Sequence, residues 1–422
     1  MSIESLSSPA SRVVGQPACR FCRAPLPEAV VDLGMSPLCE RFLRADQLDE
    51  MEPFYPLRVY VCDQCWLVQL SEYVSPAEIF TEYAYFSSFS VSWLEHARRY
   101  AETMTQRLGL GERSLVVELG SNDGYLLRHF VDRGVPVLGV DPASNVAESA
   151  EAAGVRTLIR FFGLAVAEEI AGDGRKADLI VGNNVLAQVP DINDFVAGIA
   201  RLLAPDGLVT IEVPHLLRLL EGRQFDTIYH EHFSYFSLAV AARIFAAHGL
   251  ALVDVDELAT HGGSLRMHFR HDGQGLPTSR VAAVLAAEQA GRLERPEPYE
   301  RFAEEIRETK RRILEFLVAE KRAGRSVAGY GAPGKANTFL NYCGIRTDFL
   351  DYTVDRNPYK HGRYTPGTHI PIHPPERLAE TKPDVVWILP WNLADEIRQQ
   401  LGYAREWGAR FIVAIPDVRV LE

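Results

Sequence analysis

The sequence predicts an α/β fold in which two Rossmann-like units follow a small cysteine-rich module. Two Cys-x-x-Cys pairs lie near the N-terminus, and two separate apolar strands each run into a glycine turn and then a helix. Strands that lead through glycine turns into helices are typical of parallel, doubly wound sheets. The 422 residues suffice for two or three domains. We place the cysteine module in residues 1–75, with 1–15 disordered, the first α/β unit in 76–275 and the second in 276–422.

Composition and charge restrict the class of protein. The net charge of −12, without a visible basic stripe, argues against a nucleic-acid partner, although a few local Lys or Arg residues suffice for a small phosphorylated ligand. The N-terminus lacks the basic and apolar regions of a signal peptide, and no apolar stretch reaches membrane-spanning length. We therefore expect a soluble, cytoplasmic protein without a membrane partner, as a monomer or a small homo-oligomer.

Four cysteines form two pairs with the spacing of a metal site. The pairs are Cys19 with Cys22 and Cys62 with Cys65. In a cytoplasmic chain such pairs favour metal over disulfides, and four thiolates close a tetrahedral shell around a structural Zn²⁺. A redox dithiol is the alternative, but the βαβ context that it needs is missing. The remaining cysteines are expected to be small core or turn residues: Cys39 and Cys343.

The first glycine turn has the layout of a nucleotide-sized binding site. Residues 115–127 read LVVELGSNDGYLL, an apolar strand followed by Gly120, Gly124 and a helix-like segment. Glycine lacks a Cβ and lets the backbone approach a ligand closely. The spacing E-x-G-x-x-x-G differs from the dinucleotide pattern G-x-G-x-x-G, and it resembles the first motif of S-adenosylmethionine-dependent methyltransferases. The simpler alternative is a turn that merely joins a strand to a helix.

Polar residues at the ends of the next two strands complete this candidate site. The strand predicted over 135–140 ends at Asp141, about 20 residues after the glycine turn, where an acidic residue accepts hydrogen bonds from a ribose diol. A third strand, predicted over 177–184, ends in two asparagines. The predicted cofactor-binding residues are Glu118, Gly120, Asn122, Gly124, Tyr125, Asp141, Asn183 and Asn184.

Four consecutive ionisable or phenolic residues form the candidate catalytic centre. They are Tyr229, His230, Glu231 and His232. Their aromatic surroundings suit neither a solvated surface nor a simple core, because buried polar groups need partners. We favour general acid/base work, since histidine changes its charge near neutral pH and a neighbouring carboxylate tunes it. A metal site and a structural role stay open, although the helical H-E-x-x-H spacing is absent.

Two further segments are open to a functional or a structural interpretation. The aromatic stretch around Tyr83 precedes a helix predicted over 91–108, and it either closes over a ligand or packs as a linker. Two strands are predicted around the glycine pair 262–263, where His261 and Arg266 either reach a ligand or lie on the sheet surface. Both interpretations of each segment stay open.

The second glycine turn has the layout of a phosphate site. A long helix predicted over 304–323 leads into a short strand, and Gly331 then precedes another helix. The N–H groups at a helix N-terminus favour anions, and Lys335 adds positive charge there. The next strand ends at Asp355, which is followed by a polar loop over 356–367. A dinucleotide cofactor is the weaker interpretation, because the sequence offers no redox partner site.

Taken together, the motifs resemble those of one enzyme family over nearly the whole chain. Besides the cysteine pairs they are YAYFSSFS, ELGSNDGYLL, GNNVLAQVPD, IYHEHFSYFS, THGGSLR, GYGAPGKANTFLN and RNPYKHGRYTPGTHIPI. The combination is similar to that of the ketosugar C-methyltransferases of deoxysugar biosynthesis, which methylate a carbon of a nucleotide-linked 4-keto-6-deoxyhexose. The resemblance implies structural zinc on the four paired cysteines and S-adenosylmethionine bound in the middle domain.

The resemblance also implies roles for individual residues. His232 falls on the favoured base, with Tyr229 and Glu231 on assisting positions. Tyr83 falls on a tyrosine of the substrate pocket. Tyr229 or His230 would donate a hydrogen bond to the oxyanion. The second α/β unit would cradle the nucleotide diphosphate of the sugar, with dTDP favoured, and the predicted substrate-binding residues are Gln188, His261, Arg266, Gly331, Ala332, Lys335, Asn337, Asp355, Lys360 and Tyr364.

One position departs from the family pattern. Where the best-known members read N-V-L-A-H-V-P-D, this chain has Gln188, which forms hydrogen bonds but takes no proton at neutral pH. We expect removal of a proton next to the ketone and methyl transfer to the resulting enolate, at C3. The alternatives are methylation at C5, an O- or N-methyltransferase, and a nucleotide-sugar binding protein without catalysis.

Overall fold

The computed structural model describes residues 17–80, 86–89, 91–172 and 174–421. Tyr83, which we predict in the substrate pocket, lies outside the described residues, and so does the segment 1–15 that we predict to be disordered. Among the helices that the structure describes, none combines the length and the apolar character needed to cross a bilayer.

The described residues form seventeen strands and thirteen α-helices. The strands are β1 Val31–Ser36, β2 Tyr55–Val61, β3 Val68–Leu70, β4 Val116–Leu119, β5 Val137–Val140, β6 Thr157–Leu158, β7 Ala177–Asn183, β8 Leu203–Pro214, β9 Ser234–Tyr235, β10 Leu250–Leu258, β11 Ser264–His271, β12 Val327–Tyr330, β13 Tyr352–Val354, β14 Ile372–His373, β15 Val385–Ile388, β16 Arg410–Val413 and β17 Arg419–Leu421. The helices are α1 Pro76–Phe80, α2 Val91–Leu108, α3 Arg128–Val131, α4 Ser144–Ala152, α5 Leu164–Ala171, α6 Ile192–Leu202, α7 Leu216–Glu221, α8 Leu238–Ala246, α9 Ser279–Ala290, α10 Glu297–Arg322, α11 Gly334–Cys343, α12 Arg377–Thr381 and α13 Ala394–Gln400.

The middle unit is built on a seven-stranded sheet in the order β10-β11-β8-β7-β4-β5-β6. Five neighbouring strands, β8, β7, β4, β5 and β6, run parallel to one another. The β10–β11 hairpin extends the sheet beyond β8 through antiparallel pairings. All four residues of β4 are buried, as expected of a parallel strand covered on both faces. The strand order reverses between β4 and β7, so a ligand crevice opens at the carboxyl ends of these two strands.

The C-terminal unit repeats this layout in a six-stranded sheet with the order β14-β13-β12-β15-β16-β17. Its strands are parallel except for β17. The strand order reverses between β12 and β15, which opens a second crevice beside Gly331. The helix predicted from residue 304 begins earlier, at Glu297, because an acidic residue and Pro298 suit a first helical turn.

The N-terminal module connects the two larger units. Its sheet has the order β1-β2-β3-β9, and β9 is contributed by the middle unit. Its apolar residues, Leu33 and Val59 among them, share one buried core with Ile306 of α10 and Val327 of β12. A backbone bridge also joins Leu43 to Tyr364. The module therefore packs against both α/β units rather than standing apart from them.

Candidate active site and cysteine cluster

A cavity of about 1010 Å³ lies between the two α/β units and the N-terminal module. This volume is at the upper end for a single drug-sized ligand, so the cavity has room for a cofactor and a substrate together. Fifteen of the predicted site residues line it: Gly120, Asn122, Tyr125, Asp141, Asn183, Asn184, Gln188, Tyr229, Glu231, His232, His261, Gly331, Lys335, Asp355 and Lys360. Residues predicted for the site from three separate parts of the sequence thus come together.

The first glycine loop, residues 120–124, is shaped by hydrogen bonds to the end of β5. Gly120 donates its N–H to the carbonyl of Val140, 2.8 Å away, and Asn122 donates its N–H to Asp141 Oδ2 at 2.9 Å. The other oxygen of Asp141 accepts the N–H of Ala143 at 2.9 Å. Gly120 has φ = 69°, a conformation that side chains with a Cβ rarely adopt. Asp141 therefore fixes the loop as well as lining the cavity.

Glu118 lies in β4 beneath this loop and is fully buried. Within the described residues, neither carboxylate oxygen makes a hydrogen bond of normal geometry. Burial raises the pKa of Glu118 well above its usual range, and the nearby hydroxyl of Tyr125 offsets this only in part. Side-chain oxygens of two cavity residues, Asn183 and Asn184, also lack partners. S-Adenosylmethionine carries ribose hydroxyls and amino groups that such acceptors bind, so these residues fit the cofactor.

His232 is the best-placed base of the Tyr-His-Glu-His segment (229–232). Its Nδ1 lies 3.1 Å from the carbonyl oxygen of Thr227, which only accepts, so Nδ1 carries the proton and Nε2 keeps its lone pair. Burial, with smaller contributions from His261 and the charge of Lys335, lowers the pKa of His232 to about 4. The ring of Tyr229 stacks at a tilt against it, with centroids 4.1 Å apart. His232 is therefore unprotonated at neutral pH.

Glu231 is a buried carboxyl group whose pKa is affected by Glu40, a neighbour that the sequence did not reveal. Its Oε1 accepts the S–H of Cys39 at 3.4 Å. Burial raises the pKa of Glu231 to about 8, and the charge of Glu40 adds to this rise. Lys360 lies 3.7 Å from Glu40 and moderates the effect. At neutral pH Glu231 therefore holds a proton and can donate a hydrogen bond.

The second glycine loop, residues 331–334, is fixed in the same way as the first. Gly331 donates to the carbonyl of Val354 at 2.6 Å, and Ala332 donates to Asp355 Oδ2 at 2.7 Å. The difference lies at the start of α11, where the N–H of Gly334 already donates to Glu40 Oε1 at 2.9 Å. A carboxylate of the N-terminal module thus occupies the helix N-terminus that we predict to bind phosphate.

Lys335, one residue further, is directed to a different part of the cavity. Its Nζ donates to Asn392 Oδ1 at 2.8 Å and lies 5.1 Å from the ring centroid of Trp391. Trp391 in turn donates Nε1–H to Asp226 Oδ2 at 2.7 Å. Burial raises the pKa of Asp226 to about 6, whereas desolvation lowers the pKa of Lys335.

His261 and Arg266 have different environments, although the sequence placed them together. His261 lines the cavity in a left-handed conformation with φ = 55°, and its Nε2 accepts from Asn184 Nδ2 at 3.3 Å. Arg266 lies outside the cavity lining, where it pairs with the buried Glu212 at 2.9 Å and stacks over Tyr100. Its guanidinium therefore stabilises the interior of the middle unit, and the geometry gives no support to a substrate contact.

Other predicted residues also lie off the cavity wall. Tyr364 pairs its backbone with Leu43, and Asn337 donates its amide to the carbonyl of Cys39 at 2.5 Å. His230 faces the N-terminal module, where its Nε2 lies 3.2 Å from the carbonyl of Pro56. These three residues join the N-terminal module to its neighbours. Gly124 and Ala332 belong to the glycine loops without lining the cavity.

The four paired cysteines form one cluster. Their sulfur atoms all lie within 4.8 Å of one another, and tetrahedral Zn–S bonds of about 2.3 Å place sulfurs ~3.8 Å apart. Both pairs have the same turn: the residue after each second cysteine, Arg23 or Trp66, has φ near 65° and donates its N–H to the carbonyl of the first cysteine, Cys19 or Cys62. The donor set and the matching turns fit a structural zinc ion.

The cysteine cluster is tied directly to the Tyr-His-Glu-His segment. Gln69 in β3 donates Nε2–H to Cys19 Sγ at 3.2 Å, and its backbone pairs with Ser234 in β9. The N–H of Leu70 donates to the carbonyl of Phe233 at 2.9 Å. Because β9 begins two residues after His232, the cysteine module holds the position of the candidate base.

Several cavity residues were missed by sequence reasoning. Glu40, Trp93, His96, Thr227 and Asn392 all line the cavity. Each stands alone in the sequence, without a repeated spacing or a motif around it. One signal was available, since Glu40 directly follows the unpaired Cys39.

Three family models match successive parts of the chain. A putative zinc-binding domain model matches residues 19–80, a methyltransferase domain model matches 93–255 and a C-methyltransferase C-terminal domain model matches 259–416. The C-methyltransferase NovU of Streptomyces niveus is 39% identical over 406 residues, which cover 96% of each chain. A ubiquinone biosynthesis O-methyltransferase of Bartonella bacilliformis is 29% identical over 97 residues, 23% of this chain and 39% of that protein. Among solved structures, magnesium protoporphyrin IX methyltransferase from Synechocystis PCC 6803 has a TM-score of 0.33 and 15% identity, covering 42% of this chain and 83% of that chain.

Proposed function

The chain belongs to the C-methyltransferase family that these similarities define, as an S-adenosylmethionine-dependent C-methyltransferase, and we propose that its acceptor is a nucleotide-linked 4-keto deoxysugar methylated at C3. The observation that carries the proposal is the state of His232. An unprotonated imidazole with a fixed tautomer lines a cavity shared by both glycine loops. Carbon methylation needs such a base, because a C–H bond has to be broken before a C–C bond forms.

The residues of the chain divide the work of this reaction. His232 Nε2 would take the proton from the carbon next to the ketone. Glu231, protonated below about pH 8, would donate a hydrogen bond to a substrate oxygen. Bound S-adenosylmethionine would supply an electrophilic methyl group on a sulfonium. Gly120, Asn122 and Asp141 would hold this cofactor at the carboxyl end of the middle sheet, and the cysteine cluster would hold structural Zn²⁺.

The acceptor is proposed from the site and from the family together. The cavity continues from the first glycine loop to residues of the second unit, among them Asp355 and Lys360. A substrate with a sugar and a nucleotide is long enough to use both parts. The carbonyl of a 4-keto sugar acidifies the hydrogens on its neighbouring carbons, which suits a histidine base.

Mass spectrometry in D₂O tests the proposal directly. Purified enzyme is incubated with S-adenosylmethionine and a dTDP-4-keto-6-deoxyhexose, and fragmentation locates any new methyl group. One added methyl on C3, with formation of S-adenosylhomocysteine, is the expected result. Methylation of a hydroxyl or an amine would contradict C-methylation of this acceptor, and the absence of both deuterium uptake and methylation would contradict the acceptor itself.

Methylation at C5 is the second candidate, and Gln188 is the observation that favours it. Gln188 lines the cavity at the position where the best-known members of the family have a histidine. A changed side chain here alters how the sugar ring is held. If the methyl group is found on C5, Gln188→His should shift part of the product to C3, whereas an unchanged product ratio would remove Gln188 from the explanation.

A further inference from the structure

We propose that the ammonium group of Lys335 is the counter-charge of the reacting oxygen: it stabilises the enolate oxyanion during the reaction. This assigns Lys335 to the reaction centre rather than to the nucleotide phosphates. The inference rests on the proposed function for the enolate, whereas the position of Lys335 near His232 does not require any substrate.

Lys335 makes few close polar contacts within the protein. Among the described residues, its Nζ donates to the neutral Asn392 Oδ1, at 2.8 Å, and lies over the ring of Trp391. No described carboxylate lies within 4.0 Å of its nitrogen; Asp226, whose charge raises the pKa of Lys335 from a greater distance, accepts the indole N–H of Trp391. An ammonium has three donors, so this cation lines the cavity without a close ion pair. An anion that forms in the cavity would complete its surroundings.

The usual phosphate site of the second glycine loop is already filled by carboxylates of the protein. The N–H of Gly334 donates to Glu40, and the N–H of Ala332 donates to Asp355. A phosphate at the N-terminus of α11 would have to displace a carboxylate from each of these donors. Lys335 therefore lacks the helix-terminus partners with which a loop lysine normally binds phosphate.

A short chain of contacts links Lys335 to the candidate base. Lys335 lies over Trp391, which donates to Asp226 Oδ2, and the carbonyl of the next residue, Thr227, accepts from His232 Nδ1. The charge of Lys335 also adds to the effect of burial in lowering the pKa of both His232 and His261. Lys360 offers a contrast, since it has an ion-pair partner in Glu40 and donates to the carbonyl of Ala332 at 2.8 Å. The two lysines that line the cavity thus differ: Lys360 has a carboxylate partner within 4.0 Å, and Lys335 has none among the described residues.

The chemistry balances with His232, Lys335 and a methyl donor. The C–H bond next to the ketone would break, its proton would go to His232 Nε2, and the bonding pair would form the C=C bond of the enolate. The carbonyl π electrons would move onto oxygen, where the ammonium of Lys335 would stabilise the negative charge. Bound S-adenosylmethionine would supply the methyl carbon, and the S–C bonding pair would stay with its sulfur as the carbonyl is restored.

Solvent exchange measures this role without methyl transfer. Enzyme saturated with S-adenosylhomocysteine is given the ketosugar in D₂O, and deuterium uptake next to the ketone is followed. Lys335→Met should lower the exchange rate at saturating ketosugar by about 100-fold or more. Its affinity for dTDP, measured by calorimetry, should change less than about threefold. The opposite split, with dTDP affinity lowered at least tenfold and exchange unchanged, would assign Lys335 to the phosphates and overturn the proposal.

A matched variant and a substrate-free readout complete the test. Lys310 also lies over an aromatic ring, at 4.7 Å from the centroid of Tyr342, but it is outside the cavity lining, so Lys310→Met should change neither exchange nor dTDP affinity. NMR titration of ¹⁵N-labelled histidine should show the pKa of His232 rising above about 4 in Lys335→Met. An unchanged titration would refute the proposed contact even if the ketosugar proves not to be the substrate. A wild type that neither exchanges nor methylates the ketosugar would refute the proposed function instead.

Discussion

The two glycine loops have the same construction but different occupants. In each, a glycine at a strand end donates to the end of the next strand, and an aspartate there accepts two backbone N–H groups: Asp141 in the first loop and Asp355 in the second. Beneath the first loop lies Glu118, a buried carboxylate whose oxygens have no normal hydrogen bond among the described residues. At the second loop, Glu40 already occupies the helix N-terminus. Two loops of similar backbone geometry thus differ in their polar groups. The first lies over a carboxyl group that has acceptors left for a ligand, whereas a carboxylate of the protein already occupies the second.

The largest expected effect concerns the module that supplies Glu40. Replacing Cys62 with alanine removes one of four proposed zinc ligands, and structural zinc sites contribute roughly 10 kcal/mol or more to folding. We expect loss of bound zinc, a lower melting temperature and loss of methyl transfer, because β3 and β9 hold the Tyr-His-Glu-His segment. Cys343→Ala, a buried cysteine outside the cluster, is the control and should keep its zinc. Metal analysis and thermal denaturation decide the outcome; one full equivalent of zinc in Cys62→Ala would contradict the site.

The next effect concerns the candidate base, which lines the cavity that both loops share. His232→Ala should reduce turnover by about 10²- to 10⁴-fold, the range for loss of a general base. Calorimetry should show unchanged affinity for S-adenosylhomocysteine, because neither loop is altered. His248, which lies outside the cavity lining and pairs with Asn193, provides the control variant His248→Ala. Normal turnover in His232→Ala would show that another group is the base.

The comparison of the loops itself is tested by a pair of matched substitutions. Asp141→Asn should weaken binding of S-adenosylhomocysteine about tenfold or more, because hydrogen bonds to a charged group contribute about 1.5–3 kcal/mol. Asp355→Asn removes the same charge from the second loop and should leave this affinity unchanged. Calorimetry on both variants is sufficient. Equal losses of affinity for S-adenosylhomocysteine in the two variants would mean that both loops bind this ligand.

The smallest effect is a shift in pH dependence. His232 has a pKa of about 4, so activity should be lost only as the pH falls through 4. Glu231 has a pKa raised to about 8, so its protonated form is lost as the pH rises through 8. Glu40→Gln removes a negative charge that raises the pKa of Glu231. This substitution should therefore move the alkaline limb of the kcat/KM profile to lower pH. Glu52→Gln, which changes a contact to Gly367 and His369 away from the cavity, is the control and should leave the limb in place.

The same buried carboxyl group makes stability depend on pH. Glu231 holds its proton to about pH 8 when folded, whereas an unfolded glutamate releases it near pH 4.3. Between these values the folded state binds more protons than the unfolded state, so its contribution to stability falls as the pH rises. Glu231→Gln should flatten this part of the profile in denaturant titrations. A profile that keeps its slope would assign the dependence to other groups.

Local sequence patterns were sufficient for the fold, and fifteen of the residues that they singled out lie on the cavity wall. The strand that ends at Gly120, the helix α2 and the paired cysteines depend on short-range spacing, and the structure has each of them where the sequence indicates it. Such patterns could not predict that Glu40 occupies the second loop. Glu40 and Gly334 are 294 residues apart, and Cys39 and Glu231 are 192 apart. Contacts of this kind depend on the packing of the N-terminal module against both units, and periodicity within a segment does not predict them.

Arg266 illustrates the same limit in the opposite direction. Its neighbourhood suggested a ligand contact, because a cationic side chain follows a glycine pair and a histidine. Arg266 forms an ion pair with the buried Glu212, which lies on the adjacent strand β8. The pairing of β8 with β11 brings the two residues together. The register of two strands thus decided whether a cation faced the interior of the unit or the cavity.

The contacts of Glu52 also have a consequence for how the chain folds while it is being synthesised. Glu52 accepts the backbone N–H of Gly367, 315 residues later, and also contacts His369. At about 5–20 residues per second, a ribosome adds the intervening chain in roughly 15–60 s. During that time the N-terminal module has made its own turns but lacks the surface that its acidic residues pair with. We therefore expect the nascent protein to depend on chaperones until the last sixty residues emerge, and shortened chains that end before residue 367 to aggregate even when their zinc site is intact.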